Sequence, residues 1–176
     1  ARNRLEAASS TGWTPLVGRE QEIGVLLERW AQVKDGLGQV VLLSGEAGIG
    51  KSRLVQVLTD QVAAEPRAWL TPCQCSPYHQ HTALYPMIDL LERVVLRFDR
   101  EEAPQQKVGK LEGFLVQYGL PLAEAVPLCA ALLSLPLPAD YAPVTVSPEQ
   151  HKQQTLHLLV TILLRIAAQQ PVLFVM

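Results

Sequence analysis

The sequence contains Gly45-Glu46-Ala47-Gly48-Ile49-Gly50-Lys51-Ser52 within its first third, and this stretch decides the fold. It matches the pattern G-x-x-x-x-G-K-S/T, whose glycines let backbone N–H groups approach phosphate oxygens closely. In such loops the lysine lies near the β- and γ-phosphates and the hydroxyl binds Mg²⁺, so Lys51 is the predicted catalytic cation and Ser52 the predicted metal ligand. The predicted phosphate-binding residues are Gly45, Glu46, Ala47, Gly48, Ile49, Gly50, Lys51, Ser52 and Arg53, the last without a fixed role in the pattern.

The segments on either side of this loop have the character that a phosphate-binding loop requires. Residues 39–44 are a short apolar run that predicts a buried strand. Residues 53–62 carry apolar side chains at helical spacing and predict a helix. Strand, glycine-rich loop and helix in this order are the context in which the pattern binds nucleotide. The alternative is a glycine-rich turn that happens to carry a surface lysine.

Length and composition fit one folded module. The chain has 176 residues, of which 48% are apolar and 18% charged, as in soluble globular proteins. A net charge of −2 with scattered basic residues predicts no direct contact with nucleic acid. The most apolar region, residues 156–176, is interrupted by Arg165, Gln169, Gln170 and Pro171. We therefore expect no membrane span and a cytoplasmic location.

Apolar periodicity predicts the remaining elements and their order. Residues 1–13 are small and polar and predict a linker. Helices are predicted over residues 20–33, 84–98, around 111–118, and from an N-cap at Ser147 to about residue 168. Strands are predicted over residues 68–71 and 171–176. The final helix is apolar nearly all round between residues 156 and 166, which predicts that it is buried.

Four side chains that could bind a metal ion occur together after the second predicted strand. They are Cys73, Cys75, His79 and His81. Their spacing is not a familiar zinc pattern, and in a strand the two cysteines would share one face as small core residues. We interpret the cysteines as core residues in preference to metal ligands.

A second motif, Leu16-Val17-Gly18-Arg19-Glu20, precedes the first amphipathic helix. Together with the phosphate loop, it resembles the AAA-like ATPase modules of the STAND class, which occur in bacterial transcription regulators and in nucleotide-cyclase or kinase fusion proteins. The segment over residues 75–86 is also similar, and the resemblance covers about residues 14–176. It implies an α/β P-loop NTPase fold with three layers, α/β/α, and a parallel sheet. It also implies that Val17, Gly18 and Arg19 line the adenine end of the nucleotide, where a simple turn and helix start is the alternative.

The same resemblance implies cofactors, partners and missing parts. The cofactors would be ATP and Mg²⁺, and the partners would be ATP or ADP, effector and sensor domains of the same polypeptide, and nucleotide-dependent oligomers. Family members carry two acidic residues directly after the strand that ends here at Met176, and in their strand order, 5-1-4-3-2, both neighbours of the first strand come later. We therefore expect residues 14–176 to be the N-terminal part of the domain. It would have a helix-rich insertion between its second and third strands and would be truncated after the third. Residues 40–43 would lack pairing partners. We therefore expect poor stability in isolation, weak nucleotide binding and negligible hydrolysis.

Three functions remain open on the sequence alone. The first is an ATP-binding and, in the intact protein, ATP-hydrolysing regulatory module of a multidomain signalling protein. The second is a binding or scaffold module that holds ATP or ADP without turnover. The third is a small P-loop kinase, against which stand the long helical stretch between strands and the lack of an arginine-rich lid segment.

Overall fold

The structure, a computed structural model, describes residues 17–73 and 84–176. The predicted linker over residues 1–13 and the possible metal ligands Cys75, His79 and His81 lie outside these ranges. Contacts divide the chain into two compact units. The first unit runs to Leu70 and includes Pro171–Leu173, and the second comprises Thr71–Gln170 with Phe174–Met176.

The first unit contains two helices that contact each other, α1 (Glu20–Lys34) and α2 (Lys51–Ala63). Both were predicted from apolar spacing, and both are confirmed. Each helix buries an apolar pair: Leu26 and Trp30 in α1, and Leu54 and Val62 in α2. Burial of a large apolar side chain contributes roughly 1.5–3 kcal/mol, so these pairs stabilise the helices beyond their local propensity.

A polar contact fastens α1 to the turn that follows α2. The Trp30 indole Nε1–H donates to Glu65 Oε1 at 2.9 Å, and Lys34 Nζ lies 3.2 Å from the same oxygen. The indole hydrogen bond and the nearby ammonium lower the pKa of the Glu65 carboxyl. The turn after α2 is therefore anchored to the first helix.

The segment before α2 differs from the sequence prediction. The predicted strand over residues 39–44 is wrong for this structure, because residues 37–46 have no regular secondary structure. Val40 is 99% exposed and Leu42 is 88% exposed. A strand forms where a neighbouring strand exchanges backbone hydrogen bonds with it, and the strands within the described ranges pair only with each other.

Those two strands are β1 (Trp69–Pro72) and β2 (Val172–Val175). The Trp69 N–H donates to the Pro171 carbonyl at 2.8 Å, and the Cys73 N–H donates to the Val175 carbonyl at 2.7 Å. Residue numbers rise together along the two strands, so the pair is parallel. The strands predicted over residues 68–71 and 171–176 are confirmed.

The second unit supplies the helix-rich insertion that the sequence predicted between these strands. A short helix α3 (Tyr85–Asp89) continues into a π-helical turn (Leu90–Val95), followed by α4 (Pro104–Gln117), α5 (Leu122–Leu132) and α6 (Pro148–Ala167). Helix α5 contacts both α4 and α6. Its middle residues are buried, and burial raises the pKa of the Cys129 thiol to about 12, so that thiol is a core group and not a reactive one.

Helix α6 begins as predicted but is buried on one face only. The Gln150 N–H donates to Ser147 Oγ at 3.3 Å, and the Ser147 N–H donates to Gln150 Oε1 at 3.1 Å, which completes the predicted capping box. The buried residues are Thr155, Leu159, Ile162 and Ile166. The prediction that this helix is buried all round is wrong, because a second apolar stripe, Leu156, Val160 and Leu164, is exposed. No helix in the described ranges combines the length and the apolar character needed to cross a bilayer.

Candidate nucleotide-binding site

The predicted phosphate loop lies in the first unit, directly before α2. Gly50 is the N-cap of α2 with φ 99°, and Gly48 has φ 84°. L-residues with a side chain rarely adopt these backbone angles, so the glycines at both positions meet a conformational need of the turn. The Arg53 and Leu54 N–H groups bond to the Gly50 carbonyl at 2.9 and 3.1 Å, which closes the first turn of the helix.

The start of α2 favours a bound anion. The first N–H groups of a helix have no partners within the helix, and the helix dipole places partial positive charge there. The loop also lies open to solvent, since residues 45–49 are exposed. A phosphate group could therefore reach these amides without displacing packed side chains.

Lys51 is the first residue of α2, and its side chain turns back over the loop. Helical side chains tilt towards the N-terminus of their helix, which explains the direction. The ammonium Nζ donates to the carbonyls of Gly45 and Glu46, both at 2.8 Å. The predicted catalytic cation is therefore held at the loop itself, beside the amides that would contact phosphate.

Ser52 and Arg53 occupy the first turn of α2. The Ser52 side chain is exposed and stands next to Lys51 in the chain, where a hydroxyl oxygen suits a hard cation such as Mg²⁺. Arg53 is partly buried, and its backbone N–H belongs to the helical turn described above. The donor set at this end of the helix thus fits a metal–phosphate pair.

Of the three residues predicted to line the adenine, the structure joins one to the phosphate loop. Arg19 Nη2 donates to the Ile49 carbonyl at 3.3 Å. Gly18 donates its N–H to Glu20 Oε1 at 3.1 Å, at the start of α1. Val17 is 83% exposed.

Sequence reasoning missed Glu22. Its Oε1 lies 2.6 Å from Arg19 Nη1, and this hydrogen bond lowers the pKa of the Glu22 carboxyl. The available signal was the spacing, since an arginine and a glutamate three positions apart at a helix start are neighbours in space. Glu22 thereby belongs to the surroundings of the loop although it lies outside both motifs.

A separate cavity of about 640 Å³ lies in the second unit, between α5, α6 and residues 142–146. Its lining is mainly apolar and includes Glu124 and His157 as titratable groups. None of the predicted phosphate-binding or adenine-lining residues contributes to it. The chemistry that the motifs predict therefore belongs to the open loop of the first unit and not to this cavity.

Comparison with known proteins supports the assignment of residues 45–52 as a phosphate-binding loop. A family described as "AAA ATPase domain" matches residues 15–176. An uncharacterized protein of Rhizobium meliloti (strain 1021) is 38% identical over 81 residues, which are 46% of this chain, and the match spans 8% of that relative's length. No solved structure matches the chain significantly. Because the family match takes in the phosphate loop, the described helices and both strands, the chain belongs to the AAA ATPase domain family and is a P-loop NTPase of the α/β class.

Proposed function

We propose that this chain binds ATP with Mg²⁺ as a regulatory module of a larger signalling protein, and that the intact domain hydrolyses ATP. The observation that carries the proposal is the position of Lys51, which begins α2 directly after the left-handed Gly50 and already lies over the loop. Membership of the AAA ATPase domain family supports nucleotide binding in general. The regulatory setting rests on the resemblance to STAND-class modules.

The loop residues 45–52 would bind the phosphates through their backbone amides and through Lys51. The ammonium now donates to two neutral carbonyls at 2.8 Å. Phosphate oxygens are charged acceptors and make stronger hydrogen bonds than carbonyls, so the side chain would turn to them when a nucleotide binds. Ser52 would hold Mg²⁺, which supplies positive charge where the phosphates carry negative charge.

The adenine end is proposed to lie against Val17, Gly18 and Arg19. The Arg19 contact with the Ile49 carbonyl supports this, because it places the residue beside the phosphate loop. The exposed Val17 side chain offers an apolar surface to a base.

The domain boundaries and the wider architecture are also proposals. We propose a linker over residues 1–13 and a three-layer α/β/α domain that includes residues 14–176. In the intact domain, residues 39–44 would pair as the first strand, which would bury the apolar side chains that are now exposed. Effector and sensor domains in the same polypeptide, nucleotide-dependent oligomers and a cytoplasmic location complete the proposal.

Calorimetric titration with Mg²⁺-ATP tests the assignment. The titrations would use this chain and a longer chain that extends past Met176. Lys51→Ala should weaken binding roughly a hundredfold in both, since it removes a charge-assisted contact to phosphate. Lys152→Ala is the matched control, because Lys152 is an exposed lysine on α6 in the second unit and its loss should leave binding unchanged. Equal affinities for the wild-type chain and Lys51→Ala would contradict the proposal.

Phosphate release from the longer chain separates an ATP-hydrolysing module from a module that holds nucleotide without turnover. Turnover that Lys51→Ala abolishes supports the hydrolysing module. Tight Mg²⁺-ATP binding with no phosphate release favours the alternative, a nucleotide-occupied scaffold.

A further inference from the structure

Arg19 makes two contacts from one guanidinium group. Nη1 lies 2.6 Å from Glu22 Oε1, and Nη2 donates to the Ile49 carbonyl at 3.3 Å. Arginine presents several N–H groups in a rigid planar fork, so fixing one side of the fork to a carboxylate also fixes the direction of the other. Glu22 therefore orients the donor that reaches the phosphate loop.

The carbonyl that Arg19 contacts belongs to the peptide between Ile49 and Gly50. This peptide is trans, as are all the described peptides, so its C=O and the Gly50 N–H point in opposite directions. A donor that holds the Ile49 oxygen on one side consequently aims the Gly50 N–H to the other side. Backbone amides of this loop are the groups predicted to meet the phosphates.

The backbone on both sides of Ile49 is suited to changing this orientation. Gly48 has φ 84° and Gly50 has φ 99°, and glycine populates both signs of φ at little cost. The Ile49 side chain is itself 50% exposed and gives the turn little packing. An external contact is then needed to hold the peptide in one orientation.

We propose that Arg19 sets the orientation of the Ile49–Gly50 peptide in the phosphate loop and that Glu22, outside both motifs, is the positioning residue that holds Arg19 there. The inference rests on the proposed function, since it concerns how the loop is prepared for phosphate. It assigns Arg19 a role in phosphate affinity that is independent of any contact with adenine. Protonation of Glu22 would weaken the arrangement, and the Arg19 hydrogen bond lowers the pKa of this carboxyl, so the pair stays charged near neutral pH.

Three probes separate the two possible roles of Arg19: Mg²⁺-ATP, Mg²⁺-tripolyphosphate, which lacks a base, and adenosine, which lacks phosphate. Arg19→Gln should weaken the binding of tripolyphosphate, which has no base, roughly three- to tenfold and that of ATP by at least the same factor, while any loss of adenosine affinity measures the separate contact with the base. Glu22→Gln should weaken the binding of Mg²⁺-ATP and Mg²⁺-tripolyphosphate about two- to threefold. Arg19→Lys should recover only part of the loss, because a single ammonium does not reproduce the two-sided fork.

The chain offers a matched control on the same helix. Arg29 Nη1 donates to Gln32 Oε1 at 2.9 Å, and these partners are again three positions apart, about 15 Å further along α1. Arg29→Gln should leave all three affinities unchanged. The Gly50 amide resonance should shift in Arg19→Gln and Glu22→Gln but not in Arg29→Gln, and thermal unfolding of each variant confirms that it remains folded.

Three other outcomes would contradict the inference or the proposed function on which it rests. If Arg19→Gln weakens the binding of ATP and adenosine but not that of tripolyphosphate, Arg19 contacts only the base and the inference is wrong. If Arg29→Gln causes the same loss, the effect belongs to the helix in general and the inference is again wrong. If the wild-type chain binds neither ATP nor tripolyphosphate, or if Lys51→Ala binds them equally well, the proposed function itself fails and this inference fails with it.

Discussion

The two sides of the phosphate loop behave differently although both are apolar in sequence. After the loop, residues 51–63 form α2, which buries Leu54 and Val62. Before the loop, residues 37–44 form no regular structure, and Val40 and Leu42 are almost fully exposed. The same motif therefore lies between a packed helix and a segment without regular structure whose apolar side chains are exposed.

The difference follows from where each element finds its hydrogen bonds. A helix satisfies its backbone groups within itself, so α2 needs only one neighbour, α1, to bury its apolar stripe. A strand needs other strands on its edges before its side chains can be covered. The turn of the predicted phosphate loop is consequently positioned by the helix that follows it, by Lys51 and by Arg19, and not by the preceding segment.

The largest expected effect comes from truncating one leucine on each side of the loop. Leu54→Ala should lower the free energy of unfolding by about 2–3 kcal/mol, because Leu54 is buried and its truncation leaves a cavity. Leu42→Ala should change it by less than about 0.5 kcal/mol, since Leu42 is 88% exposed. Urea unfolding of both variants measures the difference.

A longer chain sharpens this comparison. If residues 39–44 pair as a strand when later strands are present, Leu42→Ala should become as destabilising as Leu54→Ala in that chain. An equal cost of the two substitutions in the present chain would contradict the exposed position of Leu42.

The same contrast explains how much could be predicted from the sequence. The helices were predicted because apolar spacing and the Ser147 capping box are local signals, and the loop was predicted because its pattern is contiguous. The strand over residues 39–44 was wrong because its formation depends on partners that spacing does not reveal. The exposed stripe on α6 was missed for a related reason: apolar composition shows that a face can be buried, not which neighbour covers it. The Arg19 contact with Ile49 joins residues thirty positions apart, and no local pattern encodes it.

A smaller effect on stability is expected from replacing a glycine by alanine at the start of α2 and in the segment before the loop. Gly50→Ala should cost about 1–2 kcal/mol of stability, because the N-cap of α2 has φ 99° and alanine is strained there. Gly38→Ala is the control in the exposed segment, where an added Cβ meets nothing within 4 Å and φ is not in the left-handed range. It should be neutral or stabilising by up to about 1 kcal/mol through the unfolded state. Thermal unfolding should therefore show a lower midpoint for Gly50→Ala and an unchanged or higher midpoint for Gly38→Ala. Equal losses in the two variants would contradict the strain expected at position 50.

The smallest effect on stability is expected from the contacts of Glu65 with Trp30 and Lys34, which anchor the turn after α2. Hydrogen bonding from Trp30, and then from Lys34, lowers the pKa of Glu65 below its ordinary value of 4.5. A carboxyl whose folded pKa is depressed stabilises the fold above its unfolded pKa, and this contribution is lost as the pH falls through the folded pKa. Because the Glu65 side chain is 29% exposed, solvent screening keeps the contribution below about 1 kcal/mol. Urea unfolding from pH 7 to pH 3 should show a steeper loss of stability for the wild-type chain than for Glu65→Gln. Identical pH profiles would mean that the Trp30 and Lys34 contacts do not anchor the turn after α2, and the order of that side would then rest on apolar packing alone.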